Sequence, residues 1–342
     1  IRITSMALTT VRPQGMGFVT GRRNLIINGA MQVSQRATAA TDTAGESVYR
    51  TLDRLVLWEA TDGAFTSEQS TEAPDGFSNS VKLACTTADT SLAATQYAAF
   101  GQIVEAQNLQ HLAYGTNAAQ TITVSFYVRS NKTGTYCLCV DKHDSTSYKF
   151  VKEFTINSAD TWERKTITIE PDSQIKASAG AIANDNGLGL RFIFGLAWGS
   201  TYAAATDNVW SSDGNDFATS NQVNWMDSTS TNFYFTGFQV EIGENASDFE
   251  HRSYGEELSL CHRYFQKDIR LVAWNVGSGE STSACNASYH TPMRVVPTGT
   301  RTAGGGLTST TPTNAYYYAT AMLIYSSSAN ACSGLYDLDA EL

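Results

Sequence analysis

Alternating apolar and polar residues recur along most of this chain. In the clearest case Ile122, Val124, Phe126 and Val128 are separated by Thr and Ser residues and one Tyr. A period of two is typical of a half-buried β-strand. The pattern recurs, with turn residues between, in the segments 55–58, 136–140, 154–156, 162–169, 192–198 and 238–242. Many short strands with little helical periodicity predict an all-β fold, an antiparallel β-sandwich.

A helical pattern follows the last of these strands. Ser253 and Glu256 have the spacing of a capping box, in which each side chain satisfies a free backbone amide of the other residue. Leu258, Cys261 and Phe265 then fall at i, i+3 and i+7, which is one stripe of a helix. We predict that Ser253 caps a short helix over about residues 256–266 that buries these three side chains.

Four segments in order carry a resemblance to a known family. They are N-L-I-I-N-G-A-M-Q-V-S-Q-R at 24–36, Y-R-T-L-D-R at 49–54, F-T-G-F-Q-V-E-I-G at 235–243 and F-E-H-R-S-Y-G-E-E-L at 249–258. Together they resemble tail-fibre and other virion-surface proteins of tailed bacteriophages, over roughly residues 20–267. The resemblance implies a jelly-roll domain like a carbohydrate-binding module, with its first strand near 25–33 and its last near 233–242 in the same sheet region.

The patterns divide the chain into four parts. Residues 1–23, with Pro13 and several glycines, are interpreted as an extended N-terminal arm or linker. Residues 24–250 form the jelly-roll β-sandwich, and residues 251–267 the connecting helix. Residues 268–342 form a small C-terminal β-domain, with strands expected at 269–274, 287–296 and 316–325. Because the first methionine is Met6, we expect a trimmed or partial chain.

Composition narrows the range of partners. Hydrophobic residues make up 42% of the chain and charged residues only 16%, which favours closely paired β-structure. The formal net charge of −10 argues against a nucleic-acid partner. No apolar run approaches the length of a membrane span, so we expect no membrane insertion.

Cys137 and Cys139 lie two apart on a predicted strand and therefore point the same way. Such a pair can begin a metal site, but no second pair or nearby histidine completes one. We interpret the cysteines as buried free thiols, and predict no metal ligands and no cofactor.

A long polar segment is the candidate ligand surface. Residues 199–231 are rich in Asn, Asp and Ser, and a loop of that length in a compact domain is usually functional or packed on a neighbour. Aromatic rings stack on the C–H faces of sugars, and Asn and Asp side chains bond to sugar hydroxyls. The predicted ligand-binding residues are Trp210, Trp225, Tyr202, Asp213 and Asp216. The alternative is that the two tryptophans are core residues, as Trp58, Trp162 and Trp198 are expected to be.

A catalytic role is one alternative for the polar segment. Asp213, Asp216 and Asp227 could supply a carboxylate pair for glycoside hydrolysis. Because Asp is common in ordinary loops, we predict that the protein has no catalytic residues and is not an enzyme.

The resemblance implies a structural calcium ion held by acidic residues of the first and last strands. Those strands offer Asn28, Gln32, Gly237, Gln239 and Glu241, few of them carboxylates, and the ion stays an open question.

These observations predict a phage virion structural protein, a tail or head fibre that attaches to a host-surface glycan by weak multivalent binding. We expect it to be made in the bacterial host cytoplasm and placed on the virion surface, bound to other virion proteins through the N-terminal arm. We also expect a homotrimer in contact through that arm and through Tyr316, Tyr317 and Tyr318. The alternatives are a polysaccharide-degrading tailspike enzyme and a capsid decoration without a ligand.

Overall fold

The computed structural model describes residues 22–42, 45–273, 283–303, 314–326 and 332–342. Among these residues every strand pairing is antiparallel, and thirteen strands precede the main helix. They are β1 (Ala39–Asp42), β2 (Gly45–Val48), β3 (Val56–Glu59), β4 (Ala64–Ser70), β5 (Ser80–Thr87), β6 (Tyr97–Glu105), β7 (Ile122–Ser130), β8 (Gly134–Lys142), β9 (Tyr148–Ile156), β10 (Glu163–Ile169), β11 (Leu188–Trp198), β12 (Val209–Ser211) and β13 (Asn232–Ile242). Short helical segments occur at Ala106–Leu112, Ser173–Lys176 (α1), Ser178–Gly180 and Trp225–Asp227.

The thirteen strands form two facing sheets. Sheet A has the order β1-β4-β5-β13-β7-β10, and sheet B the order β12-β9-β8-β11-β6-β3-β2. Alternate side chains of both sheets fill the space between them, as expected for a sandwich. Aromatic rings form its centre, with the ring centroids of Phe126 and Phe194 4.9 Å apart and those of Phe194 and Phe235 4.6 Å apart. The predicted antiparallel jelly-roll β-sandwich is confirmed.

The first predicted strand does not form, although the segment does lie beside the predicted last strand. Residues 25–33 contain no strand, because Asn28 and Met31 have positive φ angles of 59° and 55°, which interrupt an extended chain. The segment nevertheless lies against β13, where the Leu25 amide donates to the Val240 carbonyl at 2.9 Å. The chain therefore begins its fold beside the last strand of the sandwich.

The predicted cap is confirmed, and the predicted helix end is wrong. The helix α2 spans Tyr254–Cys261, and the Ser253 hydroxyl accepts a hydrogen bond from the Glu256 amide at 3.3 Å. Cys261 is fully buried, whereas Leu258 is only half-buried. Phe265 already belongs to the next strand, where the Arg36 guanidinium lies 3.8 Å from the centre of its ring.

Two three-stranded sheets follow α2. One has the order β14-β19-β16 and the other β15-β18-β17. Their strands are β14 (Phe265–Ala273), β15 (Ser283–Ser288), β16 (Thr298–Ala303), β17 (Asn314–Tyr317), β18 (Ala321–Ser326) and β19 (Cys332–Asp339). The strand predicted at 287–296 is largely absent, since β15 ends at Ser288 and bends follow. The strand predicted at 316–325 is divided by a turn, in which the Tyr318 amide donates to the Ala321 carbonyl at 2.9 Å.

The last residues return to the sandwich and fix the small sheets to it. Glu341 pairs with the buried Arg54 and lies 3.3 Å from Arg36, which also contacts Asp339 at 3.1 Å. Leu342 packs against the outer face of sheet B. The four-part division of the chain stays a prediction, and most of its N-terminal arm, residues 1–21, lies outside the described residues. In the described segments, no helix has the length and apolar character needed to cross a membrane.

Candidate ligand-binding site

The outer face of sheet B is apolar and is covered by the chain itself. Val56, Cys137, Cys139 and Ile193 point away from the sandwich interior and form a second buried cluster. Ala203, Ala205, Phe217 and Ala218 of the segment 199–231 pack onto this face. The long polar segment is therefore a folded layer over sheet B, and we call it the covering loop.

Backbone hydrogen bonds hold the covering loop in place. The Thr201 amide donates to the Ala94 carbonyl at 2.9 Å, and the Asn208 amide donates to the Val151 carbonyl at 2.7 Å. Between them the Ala205 amide donates to the Ala218 carbonyl at 3.0 Å, which closes the loop on itself. The strand β12 then pairs with β9, with Trp210 opposite Phe150. Any site built on the loop is thus preformed.

A polar cleft of about 290 Å³ lies between the covering loop, β9 and α1. Side chains of mixed chemistry line it: Lys149, Val151, Gln174, Ala205, Thr206, Val209, Trp210, Ser211, Ser212 and Asp216. Hydroxyls, an amide, a carboxylate and an ammonium group here offer both donors and acceptors to a ligand.

Local structure sets the orientation of the cleft's polar groups. Asp172 caps α1, and its carboxylate accepts from the Gln174 side chain at 3.2 Å. That same amide group donates to the Trp210 carbonyl at 3.0 Å. The Lys149 side chain is 4% exposed, and its ammonium group donates to the Ser147 hydroxyl at 3.4 Å and lies 4.9 Å from the centre of the Phe217 ring. Gln174 and Lys149 are therefore held by their neighbours before any ligand arrives.

Next to the cleft, four half-buried rings form what we call the aromatic cluster: Tyr97, Trp198, Tyr202 and Phe217. Trp198 and Phe217 stack with centroids 5.0 Å apart, and Tyr202 meets both rings edge-on at 5.8 Å and 5.7 Å. Tyr97 lies 5.7 Å from Trp198. Phe217 connects the cluster to the cleft, because it follows Asp216 and packs against Lys149.

The two cysteines under the covering loop are inert. Burial raises the pKa of the Cys137 thiol to about 11, and burial followed by the charge of Asp141 raises the pKa of the Cys139 thiol well above its ordinary value. Cys85, Cys137, Cys139 and Cys261 are all free and buried, as predicted. The described part of the chain contains no group of three or more His, Cys, Asp or Glu side chains placed to hold a metal ion.

The five predicted ligand residues have different positions. Asp216 and Trp210 line the cleft, and Tyr202 belongs to the aromatic cluster. Asp213 is exposed at the tip of the covering loop, where its carboxylate accepts from the Asn215 amide at 2.8 Å. Whether these residues bind a ligand stays a prediction.

The two predicted tryptophan platforms require a correction. Trp225 is fully buried and Trp210 is 3% exposed, so neither indole presents a free face to a sugar. The Trp210 indole donates inward to the Glu170 carbonyl at 2.9 Å, and the Trp225 indole donates to the Asn232 carbonyl at 3.3 Å. Both rings serve the core, which was the stated alternative.

Sequence reasoning missed part of the site. Trp198 was assigned to the core, yet it is half-buried on the outer face of sheet B. Lys149 and Gln174 drew no attention, because neither belongs to the polar segment that forms the loop. The alternation along β9 does place Lys149 on the face opposite Phe150, and this was the only signal for it.

No protein-family model and no curated protein sequence matches the chain significantly. Among solved structures it is similar to CBM4, with 14% identity and a TM-score of 0.32, covering 63% of this chain and 98% of that one. It is also similar to a family 11 carbohydrate-binding module from Clostridium thermocellum in complex with a mixed-linked tetrasaccharide, with 10% identity, a TM-score of 0.30 and coverage of 62% and 98%. A third is the enzymatically active domain of tailspike protein 4 of bacteriophage CBA120, with 8% identity, a TM-score of 0.32 and coverage of 64% and 21%. The fold and the site described above rest on the strand pairing and contacts of this chain alone.

Proposed function

We propose that this protein binds a glycan at the cleft and the adjoining aromatic cluster. The observation that carries the proposal is that half-buried rings and a preformed polar cleft lie side by side on one surface. A sugar presents C–H faces that pack on rings, and hydroxyls that need donors and acceptors. Tyr202 and Trp198 offer the first kind of contact, and Gln174 and Asp216 the second.

The size of the cleft sets the expected affinity. A volume of about 290 Å³ is at the lower end of small-molecule sites, so the cleft would hold a short piece of a glycan. A few ring contacts worth about 1 kcal/mol each suggest binding near the millimolar range. Firm attachment would then depend on several copies acting together.

We further propose that the protein is a fibre or surface projection of a phage virion that attaches to the host envelope. The four sequence segments that resemble virion-surface proteins support this, as does the need for several copies. Tyr318 is 53% exposed and Val296 is 59% exposed in the connections between the small C-terminal strands, and we place the homotrimer contact there. Tyr317 packs against its own core instead, and the side chain of Tyr316 lies outside the described residues.

We propose a binding role without catalysis. Of the three aspartates weighed for hydrolysis, Asp227 pairs with Lys132, which neutralises it. Asp213 is exposed at a loop tip and Asp216 lines the cleft. Incubation with host capsule followed by a reducing-end assay tests the tailspike alternative, because release of reducing ends would contradict the proposal.

Binding itself is tested with two cleft variants and one control. Gln174→Ala and Asp216→Asn should each weaken retention on immobilised host polysaccharide, because each removes a hydrogen-bonding group from the cleft. Phe77→Ala is the control, since Phe77 is a half-buried ring next to Tyr127 and Phe249 on the outer face of sheet A. Equal loss of retention in all three variants would contradict the proposed site. Failure of the unchanged protein to bind the polysaccharide would contradict the proposed function. Absence of glycan retention with tight binding to a virion protein would favour the decoration alternative.

A further inference from the structure

The resemblance to jelly-roll modules implies a calcium ion near the first and last strands, and the oxygens present there can be compared with what the ion requires. Ca²⁺ binds six to eight oxygens, preferably several carboxylates together with carbonyl groups. The relevant surface is where residues 22–29 meet residues 239–257, and we call it the joint. Its buried or half-buried carboxylates are Glu241, Glu250 and Glu257, whereas Glu244, Asp248 and Glu256 are exposed.

Glu241 is 3% exposed, and the protein itself uses both of its oxygens. One oxygen accepts from the Gln239 side chain and from the Ser247 amide, both at 2.8 Å. The other accepts from the Ser247 hydroxyl at 2.5 Å and lies 3.3 Å from the Arg23 guanidinium. Both oxygens of this carboxylate therefore accept hydrogen bonds from the protein itself.

In each of the other two carboxylates, one oxygen accepts from backbone amides. A Glu250 oxygen accepts from the backbone amides of Arg23 and Asn24 at 2.7 Å and 2.6 Å. A Glu257 oxygen accepts from the Asn28 amide at 2.6 Å. The Arg252 guanidinium lies 3.4 Å from both Glu250 and Glu257.

The carbonyl oxygens of the joint also receive guanidinium donors. Arg252 donates to the Ile26 carbonyl at 2.9 Å and to the Asn24 carbonyl at 2.5 Å. Arg23 donates to the Asp248 carbonyl at 2.6 Å. The Arg252 side chain is only 4% exposed, so its charge sits inside the joint between two carboxylates. Each carboxylate and carbonyl group named here thus already accepts a donor from the protein, and the donor set does not fit the ion.

We infer that the joint is an arginine–carboxylate clamp that needs no calcium, in which Arg23 and Arg252 supply the positive charge that the ion would supply. A guanidinium group presents five donors in a fixed plane, so one side chain can bind carboxylates and carbonyls together. The clamp ties the chain's first described residues to the segment that leads into α2, which is how the sandwich closes.

Thermal unfolding of the full chain in EDTA and in 10 mM CaCl₂ tests the absence of the ion. A calcium site with a dissociation constant of about 0.1 mM would raise the melting temperature by roughly 4 °C under these conditions. We expect the two melting curves to coincide. A rise of several degrees in calcium would overturn the inference.

Two variants test the clamp itself. Arg252→Gln should lower the melting temperature by several degrees, equally in EDTA and in calcium, because it removes the buried charge beside two carboxylates and the guanidinium donors of two carbonyls. Arg129→Gln is the matched control, since Arg129 pairs with the exposed Glu72 on the surface of sheet A, where ion pairs contribute little. If the two variants have the same melting temperature, Arg252 does not stabilise the joint. If Arg252→Gln does not fold, the milder Arg23→Gln carries the same comparison with Arg129→Gln.

Discussion

The joint and the covering loop are both rich in polar residues, but their polar groups are used in opposite ways. In the joint, Asn24 is 4% exposed and Gln239 fully buried, and each makes several hydrogen bonds within the protein. In the covering loop, Asp213 and Asn215 are exposed, and Asp216 faces a cleft. The joint therefore has few hydrogen-bonding groups free for a ligand, whereas the covering loop has several.

This difference separates structural polar residues from binding ones better than composition does. A buried polar group must be paired within the protein, since leaving it unpaired costs free energy. Asn24 shows this most clearly, because its side-chain oxygen accepts from the Val240 amide and its side-chain nitrogen donates to the Phe238 carbonyl. The side-chain amide thereby bonds to β13 as a neighbouring strand would, beyond the residues 232–235 of β13 that pair with β5. The first of the four resemblance segments, which begins at Asn24, thus has a structural role, because it closes the domain against β13.

The largest expected effect falls on the buried tryptophan of the covering loop. Trp225→Ala should lower the free energy of unfolding by about 3–5 kcal/mol, because the ring is fully buried against Phe65 and its removal leaves a cavity. Urea denaturation measures it. Trp162→Ala is the control, since Trp162 is half-buried outside sheet A beside Tyr234 and should cost much less. Equal costs would mean that burial does not set how much each tryptophan contributes to stability.

The next effect falls on the joint. Asn24→Ala should lower the free energy of unfolding by about 1–3 kcal/mol, because the Val240 amide and the Phe238 carbonyl lose their buried partner. Asn215→Ala makes the same change on the exposed covering loop and should stay within about 0.5 kcal/mol of the unchanged protein. The difference between the two asparagines, measured in the same urea titration, is the quantity that the comparison predicts. A difference near zero would remove the distinction between joint and loop.

A smaller effect is expected at the cap of α2. Ser253→Ala should cost about 1 kcal/mol, since the hydroxyl accepts from the Glu256 amide at the first turn. Ser253→Asp should retain most of the stability, because a carboxylate also caps well and favours a helix N-terminus. Similar losses in both variants would show that the cap contributes through something other than its acceptor oxygen.

Alternation predicted the sandwich because the apolar residues of β7, such as Val124 and Phe126, belong to the core between the sheets, although Thr123 and Ser125 beside them are also buried. It could not predict that residues 25–33 lie beside β13 without forming a strand, since that depends on the positive φ angles of Asn28 and Met31. Capping chemistry located the start of α2, because the signal is local. The helix end was missed because Phe265 packs under Arg36, a contact between residues far apart in sequence.

The site was predicted only in part for a related reason. Residue type and loop length indicated the segment 199–231, and Tyr202 and Asp216 do lie at the surface that it builds. The exposure of an indole depends on the residues that cover it, and the sequence of one segment does not show which residues these are. The predictions for two tryptophans are therefore reversed in the structure. Trp225, a predicted ligand residue, lies in the core, and Trp198, a predicted core residue, lies in the half-buried aromatic cluster.

The smallest effect is the one that bears most directly on function. Tyr202→Ala should lower the free energy of unfolding by no more than about 1 kcal/mol, because the half-buried ring loses its edge contacts with Trp198 and Phe217. It should weaken binding of host polysaccharide by about 1 kcal/mol for each site, or about fivefold. Tyr202→Phe keeps the ring and should bind nearly as well, which separates stacking from loss of the hydroxyl. Titration calorimetry with host polysaccharide measures the affinity, and a urea titration of the same samples measures the stability. If Tyr202→Ala unfolds the covering loop, or if Tyr202→Phe binds as weakly as Tyr202→Ala, the aromatic cluster is a structural feature like the joint, and the contrast between the two regions fails where it matters most.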